Sequence, residues 1–166
     1  MQAAIRKIKE AGTNSSVTEV IAKVCEEYKC NPVEGVLSHK MKKHLIDGND
    51  VIINKETPDQ KVEEYEFVPG DVFGIDVFVS TGEGKPKEGD YRTTVYKREL
   101  DTQYNLKLKS ARSFFQEVNK KYPTLPFSTA GFEDSTAAKV GVKECVTHNL
   151  LTAYPVLVEK TGEFVA

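Results

Sequence analysis

The sequence of 166 residues contains no tryptophan, only three cysteines and no long apolar run. No segment approaches the roughly 18 consecutive apolar residues of a membrane helix, so we expect no membrane insertion. Met1 is soon followed by the charged segment Arg6–Glu10, a start that secretory signal peptides do not have. Cys25, Cys30 and Cys145 form no CxxC pair. Their spacing therefore argues against a zinc site or a disulfide framework and for a reducing, intracellular setting.

The overall composition is that of an ordinary globular protein, with 39% hydrophobic and 29% charged residues. The length predicts one domain, or one domain with a modest insertion. The formal net charge of −2 is unevenly spread, because residues 1–84 carry −5, residues 85–121 carry +5 and residues 122–166 carry −2. A basic segment within a mildly acidic chain predicts a site for an anionic partner.

Helical and turn signals alternate in the first third of the chain. Apolar spacing predicts a helix over 2–8 and a second helix that ends near Tyr28, with Ser15 or Ser16 as its N-cap. The turn sequence Asp47-Gly48-Asn49 predicts a hairpin between two short strands, Leu45–Ile46 and Val51–Ile53.

The strongest strand pattern covers Val72–Val79, and Asp76 lies in its middle. A carboxylate in such a strand is costly unless it is paired, hydrogen-bonded or bound to a metal ion. We expect Asp76 to be structural, with its carboxylate paired or hydrogen-bonded within the sheet rather than holding an ion. The glycine-rich segment Thr81–Asp90 that follows lacks the spacing of a phosphate-binding Walker loop and is predicted to be a mobile connection.

The basic segment contains a predicted strand, Arg92–Arg98, and an amphipathic helix over Leu106–Tyr122. Residues 132–141 and 142–151 predict two further short helices, separated at Gly141. With a hairpin over Val156–Ala166, this arrangement is similar to a winged helix, a common nucleic-acid-binding scaffold. A strand that runs to the last residue suggests that the chain is cut from a longer protein.

Several collinear stretches resemble the ErbB-receptor-binding, proliferation-associated family, whose members are non-peptidase relatives of the type 2 methionine aminopeptidases. The stretches that carry the resemblance are Asn31–His39, Ile46–Gly48, Asp76–Gly84, Arg92–Arg98 and Gly162–Ala166. The resemblance implies an α+β fold of the pita-bread type, of which this chain is the second half. It implies three parts: 1–86 in the pita-bread domain, 87–154 as a helical, winged-helix-like insertion, and 155–166 as return strands.

The resemblance also implies that the chain is not an enzyme and uses no cofactor. Aminopeptidases of this fold hold two metal ions with two Asp, one His and two Glu, and both Asp belong to the half that this chain lacks. Leu37 takes the place of the metal-binding His, Asp76 takes that of the first Glu, and the last Glu would follow Ala166. A dinuclear site needs several converging ligands. We therefore expect no catalytic residue and no metal site, with Asp76 at a degenerate ligand position.

The family resemblance implies an RNA- and ribosome-binding adaptor that contacts ribosomal RNA of the large subunit near the nascent-chain exit. It also implies roles in growth, transcription and translation control, in the cytoplasm and the nucleus or nucleolus. DNA or transcription co-regulators and a receptor cytoplasmic tail are further implied partners. The residues expected to contact RNA are Lys107, Lys109, Arg112, Lys120 and Lys121, followed by Lys97 and Arg98. The alternatives are a metal-dependent methionine aminopeptidase and a duplex-DNA-binding protein.

Overall fold

A computed structural model describes residues 1–132 and 135–166, with the backbone alone for residues 135–137. The chain divides into two compact units. Unit 1 comprises Met1–Glu88 and Leu157–Ala166, and unit 2 comprises Gly89–Val156. The predicted part boundaries, at 87 and 155, lie two residues before these divisions. Among the described residues, no helix is both long and apolar enough to span a membrane.

Unit 1 combines two helices with short antiparallel strand pairs. The helices are α1 (Gln2–Ile5) and α2 (Asn14–Glu27). The strands are β1 (Asn31–Pro32), β2 (Leu37–Met41), β3 (Val51–Ile53), β4 (Val72–Phe73), β5 (Val79–Ser80) and β6 (Lys87–Glu88), joined from the chain's end by β10 (Leu157–Val158). They pair in the orders β3-β2-β4, β1-β5 and β10-β6.

The core of unit 1 lies where α2 packs against β3. Val17, Ile21 and Cys25 of α2 are buried together with Ile52 of β3 and Phe67. The helix begins earlier than either predicted cap allows, because Thr13 is the N-cap and its Oγ1 accepts the Ser16 N–H at 3.3 Å. The prediction of α2 is confirmed, and the predicted cap is wrong.

The predicted hairpin has a different first strand. Val51–Ile53 pairs with Leu37–Met41, in the register Leu37 to Ile53, rather than with Leu45–Ile46. Residues 45 and 46 instead belong to the connection, where Leu45 and Lys42 exchange backbone hydrogen bonds. The Asp47-Gly48-Asn49 turn is thus part of a longer loop.

The predicted strand Val72–Val79 is interrupted in the structure. Its ends form β4 and β5, which pair with different strands, β2 and β1. Between them the Asp76 N–H donates to the Ser38 hydroxyl at 2.9 Å, and that hydroxyl donates back to the Asp76 carbonyl at 3.1 Å. A serine side chain therefore takes the place of the backbone partner that an uninterrupted ladder would require.

The connection after β5 is tied to the end of the chain. The Glu159 carboxylate accepts the Ser80 hydroxyl at 2.9 Å and the Gly84 N–H at 2.8 Å. Gly84 has a φ of +70°, and a Cβ there would lie 2.4 Å from the Pro32 carbonyl oxygen. Only glycine fits this close approach. A hairpin is predicted over Val156–Ala166 as part of the winged-helix-like arrangement. In the structure, residues 157–166 pair instead with β6 and with residues 79–81, and they belong to unit 1.

Unit 2 packs two helices over a three-stranded antiparallel sheet. Its elements are β7 (Val95–Arg98), α3 (Lys109–Lys121), β8 (Phe127–Ser128), a 3₁₀ turn (Thr129–Gly131), α4 (Ser135–Thr147) and β9 (Leu151–Ala153), with strand order β8-β7-β9. The prediction of α3 is confirmed, although it begins three residues later than predicted. Residues 133 and 134 lie outside the described part, and the division predicted at Gly141 is wrong because α4 continues through it.

Candidate nucleic-acid interface

The helix α3 buries one face and exposes the other. Ala111, Phe114 and Val118 are buried in the core of unit 2, with Phe114 against the Phe132 ring at 4.9 Å between centroids. At 100° per residue, the opposite face carries Lys109 and Lys120 with polar side chains between them. Both lysines are exposed, and neither forms an ion pair with any described residue.

Two other predicted cations of α3 are engaged within the helix or next to it. The Arg112 guanidinium donates to the carbonyl oxygens of Leu106 and Lys107, at 3.0 and 2.7 Å. It therefore holds the segment that precedes α3, whose first turn otherwise lacks a side-chain cap. Lys121 pairs with Glu117 one turn earlier, at 2.6 Å. Arg112 and Lys121 therefore both have partners within this chain, which compete with a phosphate for their charge.

The remaining predicted cations lie before α3. Lys107 is exposed, whereas Lys97 and Arg98 of β7 are half-buried. Arg98 lies over the Phe115 ring at 5.9 Å and contacts the Pro123 carbonyl at 3.4 Å. The structure thus brings Lys109 and Lys120 together on the outward face of α3. Arg98 lies apart from them, against the Phe115 ring of the same helix.

The two units carry net charges of opposite sign. Unit 2 holds ten Lys and Arg against seven Asp and Glu, a formal charge of +3, and unit 1 carries −5. Sequence reasoning missed three cations of unit 2, namely Arg92, Lys139 and Lys143, which line one groove. The spacing of Lys139 and Lys143, four residues apart on a helix, is the signal that could have indicated a shared face.

Asp76 occupies a different setting from the one predicted. Its side chain is exposed, and the hydrogen bonds that join it to Ser38 involve only its backbone. The prediction of a carboxylate paired within the sheet is therefore wrong. Leu37, in the place of the expected histidine, pairs with Ile53 in β2. Within residues 1–132 and 135–166, no three His, Cys, Asp or Glu side chains converge as a metal site would require.

Two of the cysteines, Cys25 and Cys145, are small buried hydrophobic side chains. Cys25 and Cys145 are free thiols in the two cores. Burial raises the pKa of Cys145 to about 12. It also raises the pKa of Cys25 to about 11, with a smaller contribution from the neighbouring Cys30. Because a thiol needs to ionise to act as a nucleophile, neither is suited to catalysis near neutral pH.

Comparisons with known proteins give relatives over nearly the whole chain. It is 48% identical over 166 residues to ErbB-3 binding protein 1 of Solanum tuberosum, covering 99% of this chain and 43% of that protein. It is 43% identical over 162 residues to proliferation-associated protein A of Dictyostelium discoideum, covering 98% and 42%. Fungal methionine aminopeptidases 2 match at 31–32% identity over 96% of the chain. No protein-family model matches.

A solved structure supports the fold assignment. A thermophilic Arx1 superposes with a TM-score of 0.79 and 34% sequence identity, over 92% of this chain and 40% of that one. With the aminopeptidase matches, this likeness supports the predicted α+β fold of the pita-bread type. The chain spans less than half the length of each of these relatives. It is a homologue of the ErbB-3-binding, proliferation-associated proteins, with a more distant likeness to the type 2 methionine aminopeptidases.

Proposed function

We propose that this chain is part of a non-catalytic, ribosome-associated adaptor and that unit 2 contacts RNA. The observation that supports the proposal most directly is the pair of exposed lysines, Lys109 and Lys120, on the outward face of α3. They are eleven residues apart, which corresponds to about 16 Å along a helix. Two cations that far apart cannot both contact one small anion, but they can contact two phosphates of the same nucleic acid.

The charge distribution favours the same function. Unit 2 is net positive in a chain that is net negative, and nucleic-acid affinity depends mainly on neutralised phosphates. RNA helices offer phosphates and a wide minor groove that proteins recognise by charge and shape. A lysine surface without base-reading arginines on it is suited to that mode of binding.

The adaptor proposal includes the absence of peptidase activity. Leu37 offers no ligand atom where an aminopeptidase of this fold would use histidine, and its side chain lies in a paired strand. The relatives at 43–48% identity are named for ErbB-3 binding and for proliferation, and the aminopeptidase likeness is weaker. The test is release of N-terminal methionine from short peptides with added cobalt, manganese or zinc. Metal-dependent turnover would favour the aminopeptidase alternative.

The proposal extends to the setting that the family implies. We place the protein in the cytoplasm and the nucleus or nucleolus, where it would also meet DNA or transcription co-regulators. Two relatives bear the name ErbB-3 binding protein 1, so a receptor cytoplasmic tail is a further proposed partner.

RNA binding is tested by measuring affinity for large ribosomal subunits and for ribosomal RNA as a function of salt. We expect Lys109→Ala/Lys120→Ala to weaken binding across RNA sequences and to flatten the slope of log K by roughly 0.7–0.9 per lost contact. The matched control is Lys7→Ala/Lys9→Ala, which removes two exposed lysines from unit 1. Equal affinity and slope for both variants and the unsubstituted chain would place the contact elsewhere, and tighter binding to duplex DNA than to RNA would favour the DNA alternative.

A further inference from the structure

Unit 2 contains a groove of about 330 Å³ that lies away from α3. Its walls come from α4, β7, β9 and the 3₁₀ turn, and its volume is at the lower end of the roughly 300–1,000 Å³ of ligand-binding pockets. Its charged lining residues are Arg92, Lys139 and Lys143, and no described lining residue is acidic. Three cations with no carboxylate among the described lining residues favour an anionic ligand.

The three cations are available to a ligand. Each is exposed, and none forms an ion pair with the described residues. A groove near the β2–β3 loop of unit 1 provides the contrast, since its lining combines Lys40 and Lys42 with Asp47 and Asp50. The groove in unit 2 differs from it in combining three cations with no acidic residue among its described lining residues.

The groove is separate from the outward face of α3. Gly141 of α4 faces α3, against the Phe114 ring. Lys139 and Lys143 lie about 160–200° from it around the helix, at 100° per residue, and so occupy the flank away from α3. Lys109 and Lys120 lie on the face of α3 opposite Phe114, and Lys109 also lines a second groove with Ala138 of α4. None of Arg92, Lys139 and Lys143 lines that second groove, so the two sets of cations form separate sites.

The lining favours a phosphodiester strand over an apolar ligand. Thr129 places a hydroxyl group beside the cations, and such a group bonds both phosphate oxygens and the ribose 2′-hydroxyl. The Thr147 hydroxyl donates to the Lys143 carbonyl at 2.8 Å, so towards a ligand it can only accept a hydrogen bond. Tyr96 forms part of the wall, but its hydroxyl donates to the Thr93 carbonyl at 3.0 Å, so it supports the wall rather than the ligand. The remaining contacts are Val142, Val146 and Ala153, which offer no specific base recognition.

We propose that Arg92, Lys139 and Lys143 form a second RNA contact of unit 2, a groove that binds one phosphodiester strand through its phosphates. This inference rests on the proposed RNA-binding function and adds a site to it. An RNA that engages both sides of the unit gains affinity from each, so loss of either site weakens binding without abolishing it.

The test uses the full chain and an oligouridine of about 20 nucleotides, longer than the roughly 4–16 nucleotides of a typical single-strand site. We expect Arg92→Ala/Lys139→Ala/Lys143→Ala to flatten the salt slope by roughly 2, at about 0.7 per contact. Over the tenfold range between 0.1 and 1 M salt, this slope corresponds to about fivefold weaker binding per contact at 0.1 M. The charge-preserving variant Arg92→Lys/Lys139→Arg/Lys143→Arg should retain most of the affinity.

The control removes the same charge from unit 1, in Lys7→Ala/Lys9→Ala/Lys61→Ala, and circular dichroism checks the fold of each variant. RNA binding by the chain with equal affinity for the groove variant and this control would overturn the groove and leave the proposed function intact. No binding of RNA by the unsubstituted chain would overturn both. Tighter binding of polyglutamate than of oligouridine, lost in the groove variant, would overturn the RNA assignment in favour of an acidic protein segment.

Discussion

Gly141 of α4 lies so close to Phe114 of α3 that a Cβ on the glycine would sit 2.6 Å from the ring's Cγ and Cδ1 atoms. The ring cannot easily retreat, because it packs on Phe132 at 4.9 Å and on Phe127 at 6.4 Å between centroids. This glycine is therefore what allows the two helices of unit 2 to approach each other. The helix α4 continues through Gly141 because the packing of α4 against α3 outweighs the poor helix propensity of glycine.

We expect Gly141→Ala to destabilise the chain. Overpacking costs about 1–3 kcal/mol, and the better helix propensity of alanine offsets up to about 1 kcal/mol of that cost. The control is Val140→Ala, at the adjacent exposed position, for which we expect a change within about 0.5 kcal/mol. The measurement is urea unfolding. In the double variant with Phe114→Leu, the loss should be smaller than the sum of the single losses, and strict additivity would contradict the contact.

A second prediction concerns Asn14, a buried amide at the start of α2. Its Nδ2 donates to the carbonyls of Val51 and Glu63, at 3.1 and 2.9 Å, and its Oδ1 accepts the N–H groups of Ser15 and Tyr65. Asn14→Asp keeps the shape, loses both donated bonds and places a negative charge beside two carbonyl oxygens. We expect a loss of about 1–3 kcal/mol or more at pH 7.

The pH dependence of the Asn14→Asp variant provides the check. The introduced carboxyl group would regain one donor when protonated, so the difference in unfolding free energy from the unsubstituted chain should shrink on acidification. The matched control is Asn31→Asp, since Asn31 is exposed and its Nδ2 donates to one carbonyl, that of Gly82, at 2.7 Å. The loss at pH 7 should be smaller there. A loss that stays constant from pH 7 to pH 3 would contradict the role of the two donated bonds.

The parts of this structure that depend on local pattern could be predicted, and the parts that depend on distant partners could not. The apolar stripe of α3 predicts its buried face, because Ala111, Phe114 and Val118 recur at helical spacing. The interruption of Val72–Val79 depends instead on the Ser38 hydroxyl, 38 residues away from Asp76. No periodicity within the strand carries that information.

The candidate site divides in the same way. The outward position of Lys109 and Lys120 follows from helix geometry alone. The engagement of Arg112 with the Leu106 carbonyl depends on how the preceding segment turns. The groove of Arg92, Lys139 and Lys143 requires β7 and α4 to meet, and that juxtaposition is a property of the tertiary fold.

A third prediction follows from Lys40, which bridges two aspartates of unit 1. Its Nζ lies 2.9 Å from Asp71 Oδ1 and 3.2 Å from Asp50 Oδ2. The hydrogen bond from Lys40, followed by that from the Val68 N–H, lowers the pKa of Asp71 below its ordinary value of 3.8. A carboxyl group with a lowered pKa stabilises the fold above its ordinary pKa, and this stabilisation is lost as the pH falls through the folded-state pKa.

We therefore expect Lys40→Met to raise the pKa of Asp71 toward its ordinary value of 3.8, as followed by NMR titration of its carboxyl carbon. The variant should also lose less stability than the unsubstituted chain as the pH falls below that value. Lys61→Met, which removes an exposed lysine elsewhere in unit 1, is the control and should leave the Asp71 titration unchanged. The same shift in both variants would show that general charge, rather than the Lys40 contact, sets the pKa.

The last prediction separates the side chain of Asp76 from its backbone. Because the carboxylate is exposed, Asp76→Asn should change the unfolding free energy by no more than about 0.5 kcal/mol. Ser38→Ala should cost about 1–2 kcal/mol, since it removes the hydroxyl that bonds both the N–H and the carbonyl of Asp76.

Thermal unfolding of each variant, with and without cobalt, manganese or zinc, is the measurement. A loss in Asp76→Asn as large as in Ser38→Ala would restore the carboxylate to a structural role. A rise in melting temperature with metal in the unsubstituted chain, but not in Asp76→Asn, would instead show that the position still binds an ion.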